Sequence, residues 1–565
     1  MDQPSANPQR SYTRGSQDKA LLAMTIGQMF DQTVAQYPDG EALVVRHQQL
    51  RYSWRQLADA VDLHARALLA LGLQAGDRLG IWAPNCAQWC ITQFATAKIG
   101  VILVNINPAY RTSELEYVLK QSGCNWLVCA GAFKTSNYHG MLQGLVPELA
   151  EQSIGQLRSE RLPDLRGVIS LDAQPPSGFL PWSQLADMAA SIAPQQLHER
   201  SDSLHFDQPV NIQYTSGTTG FPKGATLSHY NILNNGYMVG ESIGLTPLDR
   251  LVIPVPLYHC FGMVMGNLGC ITHGSTMIYP NDAFDPLLTL QTVAEEKATG
   301  LYGVPTMFIA MLDQPQRGEF DLSSLRTGIM AGATCPIEVM RRVISEMHMS
   351  EVQIAYGMTE TSPVSLQTGP ADELELRVTT VGRTQPQLES KIIDEAGNLV
   401  PRGTIGELCT RGYSVMLGYW SNPQATAEAI DEAGWMHTGD LASMNDDGYV
   451  NIAGRNKDMI IRGGENVYPR ELEEFFFTHP AVADVQVIGI PCSRYGEEIV
   501  AWIKFHPGHN ASELELQTWC KERIAHFKTP RHFKFVEEFP MTVTGKIQKF
   551  RMREISIEEL KTIER

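Results

Sequence analysis

Residues 214–225 read YTSGTTGFPKGA, between the apolar run VNIQ (210–213) and the amphipathic stretch LSHYNILNNGY (227–237). Strand, loop rich in Gly, Thr and Ser, then helix is an order suited to holding phosphate. Gly217, Gly220 and Gly224 let backbone amides come close to oxyanions. Thr215, Ser216, Thr218 and Thr219 add hydroxyl donors around Phe221 and Pro222, and Lys223 supplies a fixed positive charge. A flexible polar linker would have no need to lock Pro222 and Lys223 between glycines. The loop is not of the Walker kind, which needs Gly-Lys followed by Ser or Thr. Lys223 precedes Gly224, and Gly545-Lys546 is followed by Ile547. No GxGxxG with a suitably spaced acidic residue occurs either, which weakens dinucleotide oxidoreductase readings.

Working outward, helical periodicity alternates with short β-rich runs over residues 24–204. Examples are the helix-like LADAVDLHARALLALG (57–72) and the strand-like RLGIWA (78–83) and VILVNIN (101–107). A second series over 205–365 has strands expected at VNIQYTS, RLVIPVP, STMIYP and LYGVP. This alternation predicts an α/β class with two doubly wound subdomains. From 366 to 455 the texture turns to short alternating strands and hairpin turns, such as MNDDGYVNIAGR around Asp447-Gly448. A small β-barrel-like subdomain is expected there, followed by an α+β C-terminal domain over 456–565. Residues 1–23 read as a polar tail.

The chain has 565 residues, 43% apolar and 19% charged, as expected of a packed globule of three or four units. Its formal net charge of −17 disfavours nucleic acid and anionic membrane as main partners. Ten cysteines occur without a CxxC pair, which reads as scattered buried thiols rather than disulfides or zinc. The N-terminus lacks a secretory apolar core and no run of 18 apolar residues occurs, so a cytoplasmic protein without integral membrane association is expected.

YTSGTTGFPKGA resembles the signature of the adenylate-forming (AMP-binding) superfamily: acyl-CoA synthetases, adenylation domains of peptide synthetases and luciferases. Further motifs stand in that family's order: PLYHCFG (256–262), MAGATCP (330–336), YGMTE (356–360), GELCTRGYSVMLGYW (406–420), HTGDLA (437–442), GRNKDMIIRGGENVYPRELE (454–473) and TGKIQK (544–549). The resemblance covers the chain from about Met24 onward. TLSHYNILNN, RGGENVYPRELE and the ending HFKTPRHFKFVEEFPMTVTGKIQKFRMRE look most like medium-chain fatty acyl-CoA synthetases. It implies an ATP-dependent ligase that joins a fatty acid to coenzyme A through an acyl-adenylate, releasing pyrophosphate and AMP.

A carboxylate lacks a good leaving group, so ATP must be held, its charge neutralised and water kept from the adenylate. The resemblance implies Glu360 as the Mg²⁺ ligand, assisted by Thr215, with Thr359 on phosphate. A hard cation prefers such oxygen donors. Tyr356 would stack on adenine, with Gly332 and Ala333 as a slim wall against the base. Asp440 would accept the ribose hydroxyls, and Arg455 would take the ribose or phosphate side. Lys546 is the expected catalytic cation, serving adenylation only. A mobile C-terminal domain would swing between half-reactions about Lys457. Gly463 and Gly464 would leave room for the pantetheine of CoA, and His259 matches an aromatic gate beside the acyl carboxylate. Phe261, Gly262, Met263 and Gly357 are candidate channel positions.

Between Lys521 and Arg553 nine basic residues face only three glutamates, a candidate docking surface for the CoA phosphates. The rival reading keeps the adenylate but hands it to a separate carrier protein or other acceptor. No fused carrier is expected, since the chain reaches Arg565 shortly after Lys546. A homodimer is the candidate assembly; the acid and its chain length stay open. Lys546→Ala is expected to abolish adenylate formation and spare thioester formation from pre-made acyl-AMP. Equal loss of both steps would remove the domain-rotation account.

Overall fold

The computed structural model describes residues 9–215, 222–333, 335–455, 458–462, 465–492, 495–521, 523–524, 526–541 and 547–563. A first sheet has eight strands in the order Phe179–Pro181, Gly167–Ser170, Trp126–Cys129, Arg78–Trp82, Ile102–Asn105, Pro209–Thr215, Lys223–Ser228 and Gly418–Tyr419. It is parallel as far as Pro209–Thr215 and antiparallel over the last two pairings. Strands Gly167–Ser170, Trp126–Cys129 and Ile102–Asn105 are buried at every residue, as a parallel sheet covered on both faces requires.

A second sheet of nine strands runs Arg383–Thr384, Val364–Gln367, Glu351–Gly357, Thr327–Ala331, Gly300–Gly303, Arg250–Val252, Thr276–Tyr279, Glu41–Val45 and Leu50–Ser53. Its centre is parallel and both ends turn back antiparallel. The two α/β units are therefore not successive halves split near 204 and 205. Strands 41–45 and 50–53 belong to the second sheet, and strands 209–215 and 223–228 to the first. An ionic contact holds that exchange. The Glu296 side chain, 3% exposed, receives Arg46 and Arg250, each at 2.9 Å, and Arg250 also donates to Glu41 at 2.6 Å.

Local signals explain the helices between the strands. Trp54–Ala70 begins on a capping box, Ser53 with Gln56, and buries Leu57, Val61, His64, Ala65 and Leu68 at helical spacing. His229–Ser242 begins likewise, with Ser228 capping Asn231.

A five-stranded antiparallel sheet follows in the order Tyr12–Arg14, Leu388–Ile393, Gly406–Gly412, Met436–Met444 and Val450–Arg455. The polar tail expected over 1–23 is thus in part a strand. Tyr12–Arg14 pairs with Leu388–Ile393, and Ser11 is buried with its amide donating to Val400 O at 2.9 Å. Polarity misled because an edge strand needs a ladder partner more than an apolar face. The C-terminal sheet carries Glu465–Val467, Ile460–Arg462, Gly496–Phe505 and Val482–Cys492, with His532–Phe535 parallel to Gly496–Phe505. Arg470 donates to Ile452 O at 2.8 Å, linking this part to the preceding sheet. Among the described residues no helix is long and apolar enough to cross a membrane.

Two core histidines make the fold acid-sensitive. His64 stacks on Trp182 at 4.3 Å between ring centroids, and the His229 Nδ1 accepts from Ile26 N at 3.2 Å. Burial lowers both to about 3, so the folded state leaves them neutral while the unfolded chain protonates them near their ordinary value of 6.5. The unfolded state binds more protons between those limits, so stability falls as pH drops through this window. Each histidine contributes a slope of up to about 1.4 kcal/mol per pH unit. Urea midpoints measured from neutral pH downward should fall accordingly, and His64→Leu should flatten the dependence. An unchanged slope in that variant would refute the assignment.

Candidate active site

The site is built where the first sheet turns back on itself. Pro209–Thr215 and Lys223–Ser228 form a hairpin in which Thr215 stands opposite Lys223. Ser216, Gly217, Thr218, Thr219, Gly220 and Phe221 lie outside the described residues. The framing residues are fixed: Thr215 Oγ1 donates to Lys223 O at 3.4 Å, and Pro222 O accepts from Tyr117 at 3.0 Å. The expected strand Pro209–Thr215 is present, but Lys223–Ser228 is a second strand before the helix begins.

Gly418–Tyr419 pairs with the outer edge of that hairpin, and Trp420 N donates to Gly224 O at 2.7 Å. Tyr419 is thereby placed between two expected site residues. Its ring lies beneath Lys223 Nζ at 5.1 Å, and its hydroxyl donates to Glu360 Oε1 at 2.8 Å. Burial first, then the Glu360 charge, push the Tyr419 hydroxyl well up, so it stays a donor. Sequence reading missed this residue. Its only signal was a Gly-Tyr pair closing the alternating run GELCTRGYSVMLGYW.

Glu360 lies on the short turn Thr359–Thr361, just beyond the end of strand Glu351–Gly357, and is 5% exposed. Its carbonyl accepts Met416 N at 2.9 Å, so the segment leading to Tyr419 holds both backbone and side chain. Thr359 is half-buried beside Cys260. At the strand end, a Cβ on Gly357 would lie 1.7 Å from Pro363 O. Close approach at the bulge with Val364–Gln367 requires that glycine, rather than a channel opening.

Tyr356 donates to Asp440 Oδ2 at 2.5 Å, joining the second sheet to the strand Met436–Met444. Gly332 and Ala333 follow the neighbouring strand Thr327–Ala331 and are exposed, with Gly332 at φ 89°. Asp440 stands opposite Arg455 in the ladder, which brings the expected clamp pair together at the level of the backbone; the Arg455 side chain lies outside the described residues. Thr438 Oγ1 accepts Asp440 N at 3.1 Å and donates to Leu408 O at 2.6 Å, fixing the turn.

His259 is exposed, with Nδ1 accepting Phe261 N at 3.3 Å. Beneath it a buried polar chain ties this segment to the first sheet. Asn105 donates to Tyr258 O at 2.9 Å, and Cys260 donates to Gln213 at 3.1 Å. Phe261 packs on Tyr302 at 5.3 Å, and the Met263 sulfur accepts from Asn105 and Gln213. These contacts hold Phe261 and Met263 in the core.

Lys457, Gly463, Gly464 and Lys546 lie outside the described residues. The basic window near them is largely paired. Lys549 meets Glu473 at 2.6 Å, Arg553 meets Glu497 at 2.8 Å and Lys534 meets Glu559 at 2.5 Å. Counting charges inside the window overlooked carboxylates brought in from outside it.

A family model described as AMP-binding enzyme matches residues 30–420, and one described as AMP-binding enzyme C-terminal domain matches 471–546. YngI of Bacillus subtilis (strain 168) is 48% identical over 540 residues, 95% of this chain and 98% of that protein. The medium-chain acyl-CoA ligase ACSF2, mitochondrial, of Homo sapiens is 46% identical over 549 residues, 96% of this chain and 89% of that one. The crystal structure of the anthranilate CoA ligase AuaEII in complex with anthranoyl-AMP superposes with a TM-score of 0.83 at 26% identity, covering 96% of this chain and 99% of that one. With its family models covering most of its length, the chain belongs to the AMP-binding enzyme family.

Proposed function

We propose that this protein is an AMP-forming acid–CoA ligase acting on medium-chain fatty acids. The observation that carries the reading is the chain of contacts Lys223–Tyr419–Glu360, set beside Tyr356–Asp440 at the strand ends. It gathers a cation, a buried carboxylate, an aromatic face and a second carboxylate near the strand ends that frame residues 216–221. The names of ACSF2 and the anthranilate CoA ligase support the acid–CoA chemistry, and ACSF2 supports the chain length.

The division of labour follows from the chemistry. Lys223 and the loop take the phosphates, and Tyr356 and Asp440 take adenine and ribose, with Arg455 assisting. Asp440 then exchanges the Tyr356 hydroxyl for ribose hydroxyls. Lys546 meets the charge that develops as the acid's carboxylate oxygen bonds to the α-phosphorus and pyrophosphate leaves. Glu360 fits Mg²⁺: it is a buried oxygen donor joined through Tyr419 to Lys223, and a neutral phenol orients it. Bound there with Thr215, the ion would offset phosphate charge. His259 would act as the gate beside the acyl carboxylate. In the second step the CoA thiol attacks the acyl carbon and AMP leaves, with Lys457 as hinge and Gly463 and Gly464 beside pantetheine. All ten cysteines are free and nine are buried, which supports a reducing compartment such as the cytoplasm; ACSF2 is named as mitochondrial.

Incubation with ATP, Mg²⁺ and octanoate should yield AMP and octanoyl-CoA only when CoA is present. Pyrophosphate release with retained acyl-AMP and no thioester would instead favour a carrier protein or other acceptor. Tyr419→Phe should raise the Mg²⁺ needed for half-maximal adenylation by about tenfold, as expected for losing a hydrogen bond to a charged group. Asp440→Ala should chiefly raise the KM for ATP. Equal effects of both variants on metal and ATP dependence would contradict the separate roles.

A further inference from the structure

The β-rich sheet brings three side chains of different ligand chemistry to one place, apart from the residues assigned above. Glu407 and Cys409 lie on strand Gly406–Gly412, and His437 stands opposite Cys409 on Met436–Met444. His437 Nδ1 is 3.0 Å from Glu407 Oε2 and 3.7 Å from Cys409 Sγ. The three ligand atoms all lie within 4.8 Å of one another. A tetrahedral ion with bonds of about 2.0–2.3 Å spaces its ligand atoms about 3.3–3.8 Å apart. The sulfur–nitrogen separation is already in that range, and a small rotation brings the carboxylate to it.

The surroundings favour the same reading. On the far side of the imidazole, Asp431 Oδ2 is 3.8 Å from His437 Nε2. A carboxylate on the second ring nitrogen is the usual device that orients a ligating histidine. With Nδ1 on a metal, Nε2 carries the proton and faces Asp431. Cys409 is fully buried and packs with Ile393 and Trp435, while the His437 and Glu407 side chains are 31% and 26% exposed. The cluster therefore has a dry sulfur behind and an open approach in front, leaving a fourth position for water. Thiolate with imidazole and carboxylate selects a thiophilic ion and discriminates against Mg²⁺.

We propose that Glu407, Cys409 and His437 form a binding site for Zn²⁺ or Co²⁺, oriented by Asp431 and separate from the Mg²⁺ position assigned to Glu360. Glu407 reaches further with its other oxygen, where Oε1 accepts Gly439 N at 3.1 Å. The site thus backs directly onto the turn that carries Asp440. The cysteine on binding gives its thiol proton to solvent.

The test is a Co²⁺ titration of the full chain in excess Mg²⁺, without ATP, acid or CoA, so its outcome does not depend on the ligase reading. One equivalent should bind and produce a sulfur-to-cobalt charge-transfer band that Zn²⁺ abolishes by displacement. Cys409→Ala should lose the band and Cys492→Ala should keep it. His437→Gln, which leaves the buried side of the cluster intact, should lose it as well. Asp431→Asn should weaken Co²⁺ about 10- to 100-fold while the band persists. Thermal melting of each metal-free variant separates loss of the site from loss of the fold. No band at all, or a band that survives Cys409→Ala, overturns the proposal.

Discussion

The hydroxyl of Tyr419 donating to the buried carboxylate of Glu360 is the contact on which the site's assembly depends. Glu360 belongs to the second sheet's strand end, Tyr419 to the last strand of the first sheet, and Lys223 to the hairpin between them. A carboxylate that shielded from water needs a donor, and a phenol supplies one without a second charge. An arginine there would form an ion pair and cancel the charge that a metal needs. The aromatic face meanwhile gives Lys223 a place to rest that does not consume its charge.

A second contact, Tyr356 on Asp440, repeats the arrangement between the second sheet and the β-rich sheet. In both, a tyrosine at a strand end meets a carboxylate on a neighbouring structural unit. The three sheets are thus registered by the same side chains that face the site. The Asp440 turn is held from behind by Thr438 and by Glu407, so that its carboxylate is positioned by strands rather than by a loose loop.

Much of this was legible in the sequence. The alternation of apolar runs and helical spacing located strands 78–82, 102–105, 209–215, 250–252, 276–279 and 300–303, because strands buried on both faces leave a dense local signature. The motif residues at strand ends could be named from order and chemistry. Spatial order was not legible. Nothing in residues 41–53 announces that they join strand 276–279 rather than strand 78–82, since that choice rests on Glu296 collecting Arg46 and Arg250 over 250 and 46 positions. Tyr12–Arg14 was missed because ladder partners nearly four hundred residues away make it a strand. Tyr419 was missed because its role is a distance, not a pattern.

The exchange of strands between the two parallel sheets bears on how the chain is made. As it leaves the ribosome, residues 41–53 emerge before any other strand of the sheet they will join, and strand 102–105 must wait for 209–215. The segments of the two sheets interleave along the chain, so the usual domain-by-domain order of synthesis does not apply. The edge of strand 41–45 waits for 276–279 across roughly 230 residues of translation, about the span over which a chaperone would have to stay engaged.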